Sequence, residues 1–239
     1  MFARICTVSL LAIVSLFEGT AVRAQTLMIE PVSIRMNPSS MSATLTVTNK
    51  SSEGMAFQVR GFTWTQHDGH DALAPTDQLL LSPPLGTIPA AASQVVRIVL
   101  RKAPEEHESS YRILIDQIPP PAAAGTIRVA LRLSVPLFAE PTVQARPILR
   151  WGLEQNGDQI ELVAKNDGNR HEIVRDISLI TPSGTQLRID SGQLPYVLAG
   201  SSQRWRLATK TLSPDVPDSL RLTARGEDAV IEAQINSKF

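Results

Sequence analysis

The sequence predicts an all-β protein built as two β-sandwich domains in tandem. Three observations carry this reading. Apolar and polar residues alternate through most of the chain, the runs are short and punctuated by Gly, Pro, Asn and Ser, and the pattern restarts after Pro147. Alternation puts every second side chain on one face of a pleated strand, which is the signature of half-buried strands.

Ala43, Leu45 and Val47 alternate with three threonines and define the first clear strand. Phe57 and Val59 form the next stripe, and Phe62 and Trp64 continue it in the opposite phase, with Gly61 at the switch predicting a bulge. Val96, Ile98 and Leu100 follow, then Tyr111, Ile113 and Ile115. The longest stripe is Ile127, Val129, Leu131, Leu133 and Val135. After a proline-stiffened hinge near residues 139–147 the second set begins with Leu149, Trp151 and Leu153, and closes at Asn156-Gly157, a tight-hairpin signal. Ile160 and Leu162, Ile177 and Leu179, Trp205 and Leu207, Leu220 and Leu222, and Ile231 and Ile235 complete it. Val47-Thr48-Asn49-Lys50 and Ala164-Lys165-Asn166-Asp167 end strands in similar fashion in the two halves.

Residues 1–24 are set apart as a secretory signal peptide: a basic start, an apolar run over residues 5–17, and Val22-Arg23-Ala24 as a small-residue cleavage site. The run is shorter than the ~20 residues of a spanning helix. Cys6, the single cysteine, lies within it, so the mature chain has no disulfide and no thiol chemistry. The domains expected are 25–140 and 141–239. Lys and Arg number 23 and so do Asp and Glu, a balance that argues against a nucleic-acid partner. No membrane insertion is expected of the mature chain.

Other constellations point to ordinary structure. His67, Asp68, His70 and Asp71 are metal-ligand types, but the Asp68-Gly69 pair between two strands reads as a turn, so no metal is expected. His107 and His171 read as surface residues. Trp64, Trp151 and Trp205 sit in alternating stripes and read as core. No nucleophile elbow or phosphate-binding loop is present, so neither an enzyme nor a cofactor is expected.

The segment Glu108-Ser109-Ser110-Tyr111-Arg112-Ile113-Leu114-Ile115-Asp116-Gln117-Ile118-Pro119-Pro120 resembles the F-strand signature of the PapD-like periplasmic pilus chaperones. Thr126-Ile127-Arg128-Val129-Ala130-Leu131-Arg132-Leu133-Ser134-Val135-Pro136-Leu137-Phe138 is similar to the G strand that follows it there. The resemblance implies two immunoglobulin-like sandwiches, a periplasmic location, pilin-like secreted subunits as clients and an outer-membrane usher as the next partner. It also implies that Ile127, Val129, Leu131, Leu133 and Val135 are donor-strand knobs that fill a client's groove. The family's main branch grips the client's terminal carboxylate with an Arg in the first strand and a Lys late in the G strand. Ser33 and Pro136 stand in those places here, while Arg112 and Leu114 replace an aromatic and an Asn of the signature. These departures resemble the archaic branch, whose clients are like spore-coat pilins. Arg112 is then the first candidate anchor, with Arg132 and Arg35 behind it. The alternative is an exported structural sandwich such as a pilin or adhesin.

Overall fold

The computed structural model describes residues 27–121, 125, 129–157, 159–190, 194–208 and 219–236. The signal-peptide assignment (residues 1–24) and Ile127 lie outside the described residues.

The first ten strands are β1 (Leu27–Glu30), β2 (Ile34–Met36), β3 (Ser42–Asn49), β4 (Met55–His67), β5 (His70–Pro75), β6 (Leu79–Ser82), β7 (Leu85–Ile88), β8 (Ser93–Leu100), β9 (Ser109–Ile118) and β10 (Arg132–Ala139). They form two sheets, one in the order β1-β3-β8-β6 and the other β2-β10-β9-β4-β5, with β7 also on β4. Leu45, Val47, Val96 and Ile98 from one sheet meet Phe57, Ile113, Ile115, Val135 and Leu137 from the other, all fully buried. The alternation read from the sequence is therefore the inner face of a sandwich.

The second half contains β11 (Leu149–Asn156), β12 (Gln159–Asn166), β13 (Glu172–Ile173), β14 (Arg175–Ile180), β15 (Gln186–Leu187), β16 (Tyr196–Val197), β17 (Ser202–Arg206), β18 (Ser219–Arg225) and β19 (Val230–Asn236). The sheets β11-β12-β17 and β15-β14-β18-β19 enclose a second core around Leu162, Leu179, Trp205, Leu220 and Leu222. Trp151 and Trp205 stack there with centroids 5.9 Å apart. Residues 140–148 link the halves without regular structure.

The Asp68-Gly69 turn reading holds in detail, whereas Asn156 is the last paired residue of β11, opposite Gln159, and only Gly157 of the Asn156-Gly157 pair lies in the turn. His67 pairs with His70 across Asp68 (φ 49°) and Gly69 (φ 78°), the paired positive φ values that a two-residue hairpin of this hand needs.

Two readings are corrected. Gly61 is not a bulge, because β4 and β9 stay in continuous register from Ala56↔Ile118 to Thr63↔Tyr111. The phase switch arises because β4 changes partner. Phe57 and Val59 face the first core, whereas Trp64 and Gln66, on the other face, are buried by the second domain. Gly61 instead admits β6, since a Cβ there would lie 3.3 Å from Leu79. His171 is not a surface residue; it is 1% exposed and lies between the domains.

Candidate functional site: an open strand edge beside a buried arginine

β10 is paired unequally on its two sides. Antiparallel β9 accompanies it from Arg132↔Asp116 to Ala139↔Ser109 without a break. On the other side β2 runs parallel to it only over residues 137–139. Among the described residues, 132–136 therefore have no strand partner on that side, an edge exposed at Arg132 and Ser134 and buried at Pro136. Just upstream, Leu131 is held by Gln117, whose backbone N–H donates to the Leu131 carbonyl (2.9 Å) and whose Oε1 accepts from the Leu131 N–H (3.3 Å). That side-chain contact extends the ladder past the last formal strand pair, and nothing in the local pattern distinguishes Gln117 as its source.

The four described residues of the expected donor stripe share one parity but not one environment. Val129 is 73% exposed, Leu131 is half-buried, Leu133 is half-buried against the first core, and Val135 is 0% exposed within it. Val135 is thus a wall of the chain's own sandwich. The stripe passes from free to buried as the strand enters the domain.

The three candidate anchors are also unequal. Arg132 is paired with Asp116, which also accepts from Arg60 Nη2 at 2.7 Å. Burial alone would raise the Asp116 carboxyl, but hydrogen bonds and charge from Arg132 and Arg60 outweigh it and hold it below the usual carboxylate range. Arg35 is paired with Glu227 of the second domain, which also takes Arg170 at 3.0 Å. Arg112 is different. Its guanidinium lies over the Trp64 ring at 3.7 Å, with the Tyr196 ring at 5.4 Å, and its Nη2 is buried with no hydrogen-bond partner among the described residues. Burial lowers its pKa, with Tyr196 and Asp71 opposing, and a guanidinium remains charged in such a site. Arg112 sits opposite Pro136 in the β9–β10 ladder and opposite Phe62 in the β9–β4 ladder, at the end of the open edge nearest the second domain.

The second domain completes this corner. Leu198 N–H donates to Gln66 Oε1 (2.9 Å), and Gln66 Nε2 donates to the Tyr196 carbonyl (2.9 Å). Trp64, Phe138 and Leu198 form a small apolar cluster with Tyr196 against it. His171 stacks on Phe138 at 3.5 Å with its Nδ1 2.7 Å from Glu108 Oε1, both side chains fully buried. Glu108 stands at the start of the family-like segment, but its partner lies 63 residues away and could not be read locally.

Comparison with known proteins agrees with this architecture. Residues 26–144 match the family described as pili and flagellar-assembly chaperone, PapD N-terminal domain. No curated protein matches the chain. Among solved structures, a chain of the CsuC–CsuE chaperone–tip adhesion subunit pre-assembly complex, from the archaic chaperone-usher Csu pili of Acinetobacter baumannii, superposes with a TM-score of 0.69 at 20% identity, covering 90% of this chain and 100% of that one. A chain of the Salmonella enterica SafA pilin–SafB chaperone complex gives 0.60 at 17% identity, covering 92% and 99%. The E. coli chaperone DraB gives 0.57 at 18%, covering 91% and 98%. At these identities the structural likeness establishes the two-sandwich fold.

Proposed function

Through residues 26–144 the chain belongs to the pili and flagellar-assembly chaperones, and from that premise we propose that it works in the periplasm, holding pilin-like secreted subunits on the open edge of β10 and passing them to an outer-membrane usher. The observation that carries this reading is the edge at residues 132–136, unpaired on one side and preceded by exposed Val129 and half-buried Leu131. A subunit lacking a strand can add one of its own there, gaining main-chain hydrogen bonds from the edge and burying the knobs. Burying Val129 and the exposed half of Leu131 contributes about 2–4 kcal/mol before ordering costs. Val135 adds nothing to that sum, being buried already.

Arg112 is the anchor this reading favours. A client's terminal carboxylate is costly to desolvate without a partner. Arg132 and Arg35 already hold carboxylates, whereas Arg112 keeps a buried donor without a partner among the described residues. A client strand ending at Arg112 would run parallel to β10, because Arg112 lies at the downstream end of the open edge. Gln117 would keep Leu131 in place for its client. The structural alternative, a pilin or adhesin, has no observation in its favour.

The test is affinity capture of the tagged mature chain from the periplasm of its own host, with Leu131→Glu beside it. Wild type is expected to bring down a small secreted subunit in a one-to-one complex. Leu131→Glu is expected to lose it while unfolding at the same temperature. Capture that survives the substitution would sink the edge reading.

A further inference from the structure

Pro136 lies inside an eight-residue strand, where a missing N–H ordinarily breaks a ladder. Here it breaks none. Gln117 N–H donates to the Leu131 carbonyl, so the odd-numbered residues of this run turn their backbone groups toward β9. Glu140 N–H donates to the Met36 carbonyl (2.8 Å), so the even-numbered ones face β2 and the open edge. The β9–β10 register is uninterrupted between these points, and alternation carries the parity through. The open edge therefore offers N–H donors at Arg132 and Ser134 and none at Pro136. Beyond Pro136 the edge is taken by β2. At the point where donors run out, the neighbouring residue on β9 is Arg112, whose buried Nη2 has no partner among the described residues.

We propose that Pro136 makes the edge selective for a chain end: it withholds the backbone donor that an uncharged carbonyl would need at that position, and leaves Arg112 as the donor there, which favours a terminal carboxylate. This rests on the edge-and-anchor reading above. An internal segment, or a neutral end, laid along β10 would bring a peptide carbonyl to a place with no N–H opposite it. A carboxylate at the same place gains a charge-assisted bond from the guanidinium, stronger than the neutral bond it forgoes.

The test uses two synthetic peptides of alternating valine and threonine, identical except that one ends in a free carboxylate and the other in an amide. Their affinities are measured by calorimetry against wild type, Pro136→Ala, Arg112→Gln and Leu131→Glu. Pro136→Val is carried as a second variant that restores the same N–H with a strand-forming side chain, in case Pro136→Ala misfolds. Wild type is expected to prefer the carboxylate by more than about tenfold. In Pro136→Ala the amide peptide is expected to gain about three- to tenfold, the worth of one neutral hydrogen bond, with the carboxylate peptide nearly unchanged. Arg112→Gln should lose the preference by weakening the carboxylate peptide alone. An unchanged ratio in the folded Pro136 variants would overturn the proposal while leaving the edge reading standing. Failure of both peptides to bind any of these proteins, or binding indifferent to Leu131→Glu, would overturn the edge reading, and the proposal with it.

Discussion

Asn49 and Asn166 end equivalent strands in the two domains, and the turns they organise are nearly the same. Both side chains are buried, at 1% and 0% exposure. Asn49 Nδ2 donates to the carbonyls of Glu53 and Ile88, and its Oδ1 accepts from Ser51 N–H. Asn166 Nδ2 donates to the carbonyls of Arg170 and Val197, and its Oδ1 accepts from Gly168 N–H. In each case the amide satisfies the residue four ahead, the residue two ahead and a neighbouring strand, a burden only a side chain with both donor and acceptor can carry. The difference is at the second position. Ser51 fills its place with a hydroxyl bonded to Asn49 Oδ1 (2.6 Å). Gly168 has no such group because the linker lies against it, and a Cβ there would collide with the backbone of Arg146, Pro147 and Ile148. Asn166 Oδ1 uses the freed capacity to accept from Ile148 N–H (3.0 Å). Nearby, Asn169 Nδ2 donates to the Glu106 carbonyl (3.0 Å) and Glu108 N–H donates to the Asn169 carbonyl (2.9 Å). The same turn caps one domain at a free end and joins two domains at the other.

That contrast can be broken at the joint first. Glu108→Ala is expected to cost about 3–5 kcal/mol, because it strips two hydrogen bonds from buried His171, at its backbone N–H and at Nδ1, and empties a buried side-chain site. It should lower the melting temperature and widen the interdomain distance seen by small-angle scattering. Melting without a change in scattering would mean that the pair stabilises the domains without setting their angle.

Next come the asparagines. Asn166→Ala and Asn49→Ala should each cost about 2–4 kcal/mol from buried groups left unsatisfied. Only the first should alter the scattering profile. An equal change from Asn49→Ala would remove the distinction between cap and joint.

The second position follows. Gly168→Ser should cost about 1–3 kcal/mol by pushing the linker off the turn, whereas Ser51→Gly should cost under about 1.5 kcal/mol for one hydroxyl bond and added chain freedom. Urea titration separates them, and equal losses would show that the linker gives way freely.

The smallest effect lies at Asp116, away from both turns. Its carboxyl is held below the usual range, so its contribution is present above the unfolded carboxylate pKa and fades as the pH falls through the lower folded value. Asp116→Asn should cost no more than about 1 kcal/mol at neutral pH, and the difference from wild type should vanish under strongly acidic conditions. A gap that widened on acidification would reverse the assignment.

The two-sandwich architecture was legible because strand alternation and turn chemistry are local. Leu45, Val47, Val96, Ile98, Ile113 and Ile115 were expected on inner faces and are there. The candidate edge was legible as a stripe and, through the likeness to a G strand, as a donor strand, but which of its residues lack a partner was not, since pairing depends on which strand arrives from elsewhere. Trp64 was read as core from its stripe. It is buried, but between the domains, on the opposite face of β4 from Phe57 and Val59.

By itself the sequence determined the period of the strands, the positions of the turns, the division into two cores and the parity that aligns Val129, Leu131, Leu133 and Val135. Each of these follows from backbone geometry repeating every two residues, or from side chains bonding their own turn. Only the tertiary structure decided that Val135 is already enclosed while Val129 is exposed, that Arg132 and Arg35 are paired with Asp116 and Glu227 while Arg112 rests on Trp64 with a donor unused among the described residues, and that His171 is buried against Glu108. Those outcomes depend on burial and charge pairing between residues far apart in the chain, and such contacts exist only once both domains have folded and met.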